Sequence, residues 1–110
     1  THIGPKSQAA VLSTLRRAIA DNGMLALTIR QAKYWEDEKW PDEAARAKLI
    51  EQHFAEGFAH IAGNIEGLNE FGNTTISVDY VRSEWTEWRL ADVQWRAADP
   101  YQTIVFLRPA

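Results

Sequence analysis

Residues 41–65 read PDEAARAKLIEQHFAEGFAHIAGNI, and the reading of this stretch decides the fold. Pro41 suits the first helical position, and Asp42 and Glu43 sit at the positive end of the helix dipole. At about 100° per residue, Ile50, Phe54, Phe58, Ile61 and Ile65 fall within one arc of about 80°, with Gly57 just beside it. That arc predicts a core-facing stripe on one helix running from residue 41 to about residue 63. Ala55, Ala59 and Ala62 carry small apolar surface round its flank, while His53, Glu56 and His60 line the other edge, so the helix is expected to be covered on more than one side.

Upstream, Ser7 is a plausible N-cap for a first helix over residues 7–22, in which Val11, Leu12, Leu15, Ala18 and Ile19 recur at three- and four-residue steps and Asn22-Gly23 makes the stop. Residues 24–31 alternate Leu25, Leu27 and Ile29 with Ala26, Thr28 and Arg30, which suits a strand with one buried face, although the composition also suits a helix. A helix-turn-helix is disfavoured, because Arg30 and Lys33 are the only bases on the would-be recognition segment and the chain is acidic. Downstream the glycines and asparagines of GNIEGLNEFGN predict a loop, pinned by Leu68 and Phe71. The period then becomes two over 74–82, with Ile76, Val78 and Tyr80 on one face. Residues 87–97 place Trp88 and Leu90 on one side but Val93 and Trp95 on the other, which predicts a bulge near Asp92. Residues 101–108 contain the continuous run Ile104-Val105-Phe106-Leu107, expected of a central strand covered on both faces. The predicted architecture is a single α+β domain over residues 1–110, with helices 7–22 and 41–63 packed on a mainly antiparallel sheet of three to four strands, 24–31, 74–82, 87–97 and 101–108.

A chain of 110 residues with 45% apolar and 25% charged side chains builds one core without staples. It has no cysteine, which excludes disulfides, thiolate metal sites and a cysteine nucleophile. No apolar run is long enough to cross a bilayer, and THIGPKSQAA lacks the apolar core of a secretory signal, so a cytoplasmic protein without a membrane partner is expected. The net charge of −3 is unevenly spread. Residues 1–34 carry five bases against one acid, residues 35–70 nine acids against three bases, and the remainder four bases against five acids. Either the basic first helix lies against the acidic middle, or a two-signed surface steers a charged partner. A nucleic-acid binder would show a basic domain with interleaved aromatics, so no nucleic-acid partner is expected.

Candidate chemistry is sparse. His53, Glu56 and His60 form H-x-x-E-x-x-x-H, but seven residues span about 10.5 Å of helix, too far for two imidazoles to reach one zinc. Asp79, Glu84, Glu87 and Asp92 lie among tryptophans, as a glycan-cleaving pair would, yet the chain offers little room for a deep sugar cleft. There is no phosphate loop, nucleophile elbow or calcium loop. No catalytic residue, metal or cofactor is therefore expected.

The most distinctive stretch is AKYWEDEKWP, where Tyr34, Trp35 and Trp40 flank Glu36, Asp37 and Glu38. Of the five tryptophans, Trp88 and Trp95 are expected in the core and one or two of Trp35, Trp40 and Trp85 at the surface. Subtraction of the other classes leaves a non-enzymatic, acidic protein-interaction module: an inhibitor, immunity or accessory protein, of a phage or bacterial conflict system. Its partner-binding residues would be Trp35, Glu36, Asp37, Glu38 and Trp40. The alternative is a small ligand-binding protein or enzyme with a pocket between the central helix and a curved sheet, lined by Phe54, Phe58, Tyr80 and Trp88, with His53, Glu56, His60 and Asp79 as its polar groups. Homo-oligomer formation through a sheet edge is compatible with both.

Overall fold

The computed structural model of the chain describes residues 1–63, 67–95 and 98–110. In chain order these form α1 (Pro5–Ala18), β1 (Leu25–Arg30), α2 (Lys33–Asp37), α3 (Glu43–Glu56), β2 (Phe58–Ala62), β3 (Gly72–Ile76), α4 (Val78–Glu84), β4 (Trp88–Gln94) and β5 (Gln102–Pro109). β1, β5 and β4 make a three-stranded antiparallel sheet in that order, and β2 pairs antiparallel with β3. The fold is α+β, with four helices and two sheets among the described residues.

The central stretch is not one helix, because Gly57 divides it. Its backbone is left-handed at φ 75°, and its N–H closes on the His53 carbonyl at 2.7 Å. Glycine takes this conformation without the steric cost that an L side chain meets. A Cβ there would also lie 2.8 Å from Ser77 Oγ. Asp42, not a residue before Pro41, caps the start by accepting from the Ala45 N–H at 2.9 Å. α3 therefore ends at Glu56, and residues 58–62 run as a strand instead.

This shortening turns the expected stripe inside out. α3 buries Leu49 and His53, whereas Phe54 is 72% exposed. Phe58 is buried, but from β2, where it pairs with Ile76. Ile61 packs beside Trp35, Leu49 and Ala59 in a small second core. Ile65 lies outside the described residues.

The 74–82 strand is also two elements. Ser77 caps α4 by accepting from the Tyr80 N–H at 3.0 Å, so the strand stops at Ile76 and Val78 and Val81 enter the main core from a helix. That core joins Leu12 of α1 to Ile29, Val105 and Leu107 of the sheet. β4 shifts register between Leu90 and Asp92, where the bulge was expected, and this returns Val93 to the side of Leu90. β5 is the central strand, but its run alternates: Val105 and Leu107 are buried while Ile104 and Phe106 are half exposed. The sheet is thus covered on one face. α1 begins at Pro5, with Gly4 as N-cap, and ends at Ala18, four residues short of the Asn22 stop. Of the 87–97 segment, residues 96–97 lie outside the described residues.

The two sheets meet at Arg30, the last residue of β1 and a buried cation. Its Nε donates to the Thr74 carbonyl at 3.3 Å and its guanidinium to Asn73 Oδ1 at 3.2 Å and to the Thr1 carbonyl. Its Cζ lies 3.9 Å from the centre of the Tyr34 ring. Burial pulls its pKa below the usual arginine value, yet a guanidinium stays charged throughout the physiological range. The charge is tolerated because acceptors and a π face surround it.

Two stability measurements check this architecture. Phe58→Ala should cost about 3–5 kcal/mol and Phe54→Ala no more than about 0.5 kcal/mol in urea melts; equal losses would mean that α3 faces the other way. Arg30→Met should cost about 2–5 kcal/mol, since it strands several acceptors at once. Arg30→Lys, which keeps the charge and loses the fork, should recover only part of that loss, and a full recovery would reduce Arg30 to a point charge.

Candidate functional site

The acidic aromatic segment is split by the geometry of α2. A five-residue helix turns Trp35 inward, where it is fully buried and donates from Nε1 to Thr75 Oγ1 at 2.7 Å. Tyr34 meets it edge-on at 5.0 Å. Trp35 is therefore a core residue and offers no surface to a partner. Trp40, five residues on and past the helix end, is 40% exposed. Glu36 and Asp37 point outward, and Glu38 is half buried.

The carboxylates are held in different ways. Asp37 pairs with Lys33 at 3.2 Å and accepts from the Tyr101 hydroxyl at 3.2 Å. Glu38 folds back so that Oε1 accepts from the Lys39 N–H at 2.9 Å, and that backbone bond holds its carboxyl below the usual range. Arg46 of α3 donates to the Glu38 carbonyl, which ties the loop to the helix. Trp40 thus stands on a braced loop, followed by the exposed acids Asp42 and Glu43.

The second set of candidate residues is partly assembled. His53, Glu56 and Asp79 share a concavity of about 500 Å³ with Gln31, Phe54 and Tyr80. His60 is elsewhere, because β2 has carried it away from α3. Its Nδ1 lies 2.7 Å from Thr74 Oγ1 and its Nε2 3.0 Å from the Asn69 carbonyl. Phe58 and Trp88, expected in the pocket wall, are buried in the main core. The H-x-x-E-x-x-x-H spacing therefore places no two imidazoles together, and among the described residues no three His, Asp or Glu side chains form a metal-ligating group.

His53 itself is buried rather than set on a helix edge, and its hydrogen bonding can be assigned by elimination. Nδ1 lies 2.9 Å from Thr75 Oγ1, which already accepts from the Trp35 indole. The Thr75 hydroxyl is fully buried, and its hydrogen needs an acceptor. Nδ1 is the acceptor in reach. The ring proton of His53 then sits on Nε2. Burial pushes the imidazole pKa down, so the ring is neutral at pH 7.

Other features of this concavity were not legible as function. Gln31 lines it with a buried Nε2 that has no acceptor among the described residues. Burial, then Glu84 and Glu56, raises the Tyr80 pKa. Asp79 makes an exposed pair with Arg82 at 2.9 Å within α4. Thr75, which orders the whole group, carried one hint: its parity opposes Ile76, and α2 and α3 cover that second face. No protein-family model, curated protein or solved structure matches the chain.

Thr75→Val should cost about 2–4 kcal/mol, because the Trp35 N–H and His53 Nδ1 both lose a buried partner. The pH dependence has a definite sign. Folding favours neutral His53, so its contribution is fully present above the ordinary value of 6.5 and is lost as pH falls through that value toward the depressed folded one. Melts between about pH 8 and pH 5 should show this slope flattened in His53→Gln. An equally steep slope in that variant would place the titrating group elsewhere.

Proposed function

We propose that the chain is a non-enzymatic protein-interaction module of the cytoplasm, an inhibitor, immunity factor or accessory subunit, with phage and bacterial conflict as its setting. The observation that carries this reading is Trp40, a large ring 40% exposed on a braced loop, with the exposed acids Glu36, Asp37, Asp42 and Glu43 on either side of it in sequence. A tryptophan in this setting suits a partner surface with an apolar pocket rimmed by lysine or arginine. Trp35 leaves the proposed contact set and becomes its support, since its burial and its bond to Thr75 fix the helix from which the acids project.

Affinity capture from the native host identifies the partner, and binding kinetics with the purified partner test the surface. Trp40→Ala should raise the dissociation rate at least about tenfold, as expected for an interface anchor. Joint replacement of Glu36, Asp37 and Glu38 by their amides should slow association and flatten its salt dependence. Neither change should lower stability by more than about 1 kcal/mol. Unaltered rates in both variants would move the interface away from this loop.

A further inference from the structure

The two edges of the three-stranded sheet differ in how they meet solvent. At β4 the Trp88 N–H donates to the Trp85 carbonyl at 2.9 Å, Asp92 Oδ1 accepts from the Val93 N–H at 2.8 Å, and the register shift between Leu90 and Asp92 interrupts the ladder. These are the devices that keep an edge from pairing with another chain. β3 of the smaller sheet is covered as well, since its Gly72 and Thr74 N–H groups donate to the His2 and Thr1 carbonyls, each at 2.9 Å. β1 has no such protection. It pairs with β5 in unbroken register from Leu25 to Arg30, and residues 24–29 read MLALTI, without charge or proline. The Ala110 N–H donates to the Glu87 carbonyl, so alternate residues of β5 from Arg108 back to Ile104 face β4, while Leu107, Val105 and Thr103 face β1. Leu25, Leu27 and Ile29 therefore commit their backbone groups to β5. Ala26 and Thr28 turn theirs outward, are exposed, and have no backbone partner on that side among the described residues. Beside them lies an apolar hollow of about 120 Å³ whose lining includes Val11, Leu12, Leu27 and Trp85.

We propose that β1 pairs antiparallel with β1 of a second copy of this chain, about a two-fold axis at Ala26, to make one six-stranded sheet from two three-stranded ones. A row of outward backbone donors and acceptors is matched by another strand and by little else. This register exchanges both backbone bonds between the two Ala26 residues and sets Met24 against Thr28 of the second copy. Leu25 then stands across from Leu27 of the second copy, on the side where the hollow takes an aliphatic side chain. Arg30 falls opposite Asn22, so no like charges face each other along the pair. The strand is thus complementary to itself in backbone, shape and charge, as an isologous contact requires. The outer strands of the pair are both β4, each protected, so growth stops at two copies and does not run on into a fibre. The pairing uses neither Trp40 nor the acids beside it, and so goes beyond the function proposed above.

The test uses the whole chain. In sedimentation velocity its mass should rise from one copy toward two between about 1 µM and about 1 mM, the span in which a small interface dissociates. Amide hydrogen exchange read by NMR identifies the edge. Ala26 and Thr28 should gain at least about tenfold protection at the high concentration, while Leu25, Leu27 and Ile29, bonded to β5 in both states, change little. Ala26→Pro removes an outward N–H at an edge position where proline is tolerated, and Thr28→Lys sets a charge on the edge. Each should weaken dimerisation at least about tenfold while keeping the circular dichroism of the parent. The exchange readout is taken on the parent chain and so decides the matter even if a variant fails to fold. The proposal is overturned if the chain stays a single copy up to about 1 mM, if dimers form with the exchange of Ala26 and Thr28 unaltered, or if both variants dimerise like the parent. Trp40→Ala should dimerise unchanged, and loss of the dimer in that variant would move the contact to the other surface.

Discussion

A single buried guanidinium gives direction to the joint between two sheets that already share the main apolar core through Phe58 and Ile76. The three-stranded sheet ends at Arg30, and the two-stranded sheet offers the Thr74 carbonyl and the Asn73 amide oxygen within 3.3 Å of that side chain. The smaller sheet is not stable alone, since a two-stranded ribbon is marginal in water. Hydrogen bonds have direction and fix an angle that apolar contact leaves loose. The fork of Arg30 ties β1 to β3, and its stacking on Tyr34 links that joint to α2. The desolvation of a charge is offset here by acceptors that would themselves be buried and idle without it.

The second joint is built the same way, from a smaller group. Thr75 stands on β3 with one hydroxyl between the Trp35 indole and the His53 imidazole, at 2.7 and 2.9 Å. One oxygen thereby orients α2, orients α3 and fixes which nitrogen of His53 carries the proton. The small core of Trp35, Leu49 and Ala59 supplies apolar burial, and the Thr75 node supplies the direction. The proposed Trp40 surface hangs from it. Trp40 follows the helix that Trp35 anchors, and the concavity rests on the ring that Thr75 turns.

What the sequence made legible were the features carried by local chemistry. The α+β class, β1 and the bulge in β4 follow from alternation within a few residues, and the structure agrees; β5 is central as its unbroken apolar run suggested, but that run is covered on one face and not on both. Residues 41–65 misled because 3.6-residue periodicity and a strand of mixed burial produce similar apolar counts over so short a run. The left-handed glycine outweighed the periodicity: once Gly57 takes φ 75°, Phe54 and Phe58 belong to different elements and face different ways. Ser77 acts similarly at the end of β3, where a cap overrides the alternation of Ile76, Val78 and Tyr80. The tryptophans follow from this geometry. Trp85 and Trp88 flank a tight turn into the core, while Trp95 lies past the end of β4 and is 60% exposed. As for site residues, the set Trp35 to Trp40 was adjacent in sequence and so visible as a unit, but its inward and outward members depend on α2. Gln31, which shares a concavity with His53 only in the fold, left no sequence signal.

Charge placement gives the last step. The basic first helix makes no ion pair with the acidic middle of the chain among the described residues: the pairs are Lys33–Asp37 and Arg82–Asp79, each between neighbours on one short helix. Arg17 instead bonds Ser13 and Thr14 of its own helix, and Arg16 reaches the Ala110 carbonyl. The acids after Tyr34 and the bases before it therefore keep most of their external fields, and surface pairs between neighbours screen little of a potential felt several ångströms away. A chain whose total charge is only −3 thus keeps in its sequence a basic first third and an acidic middle that are not joined by ion pairs among the described residues. Such a field contributes little to folding, where exposed charges count for little, but it orients encounter. On the function proposed above, the acidic segment that carries Trp40 meets a basic surface, and this is the encounter such a field would orient.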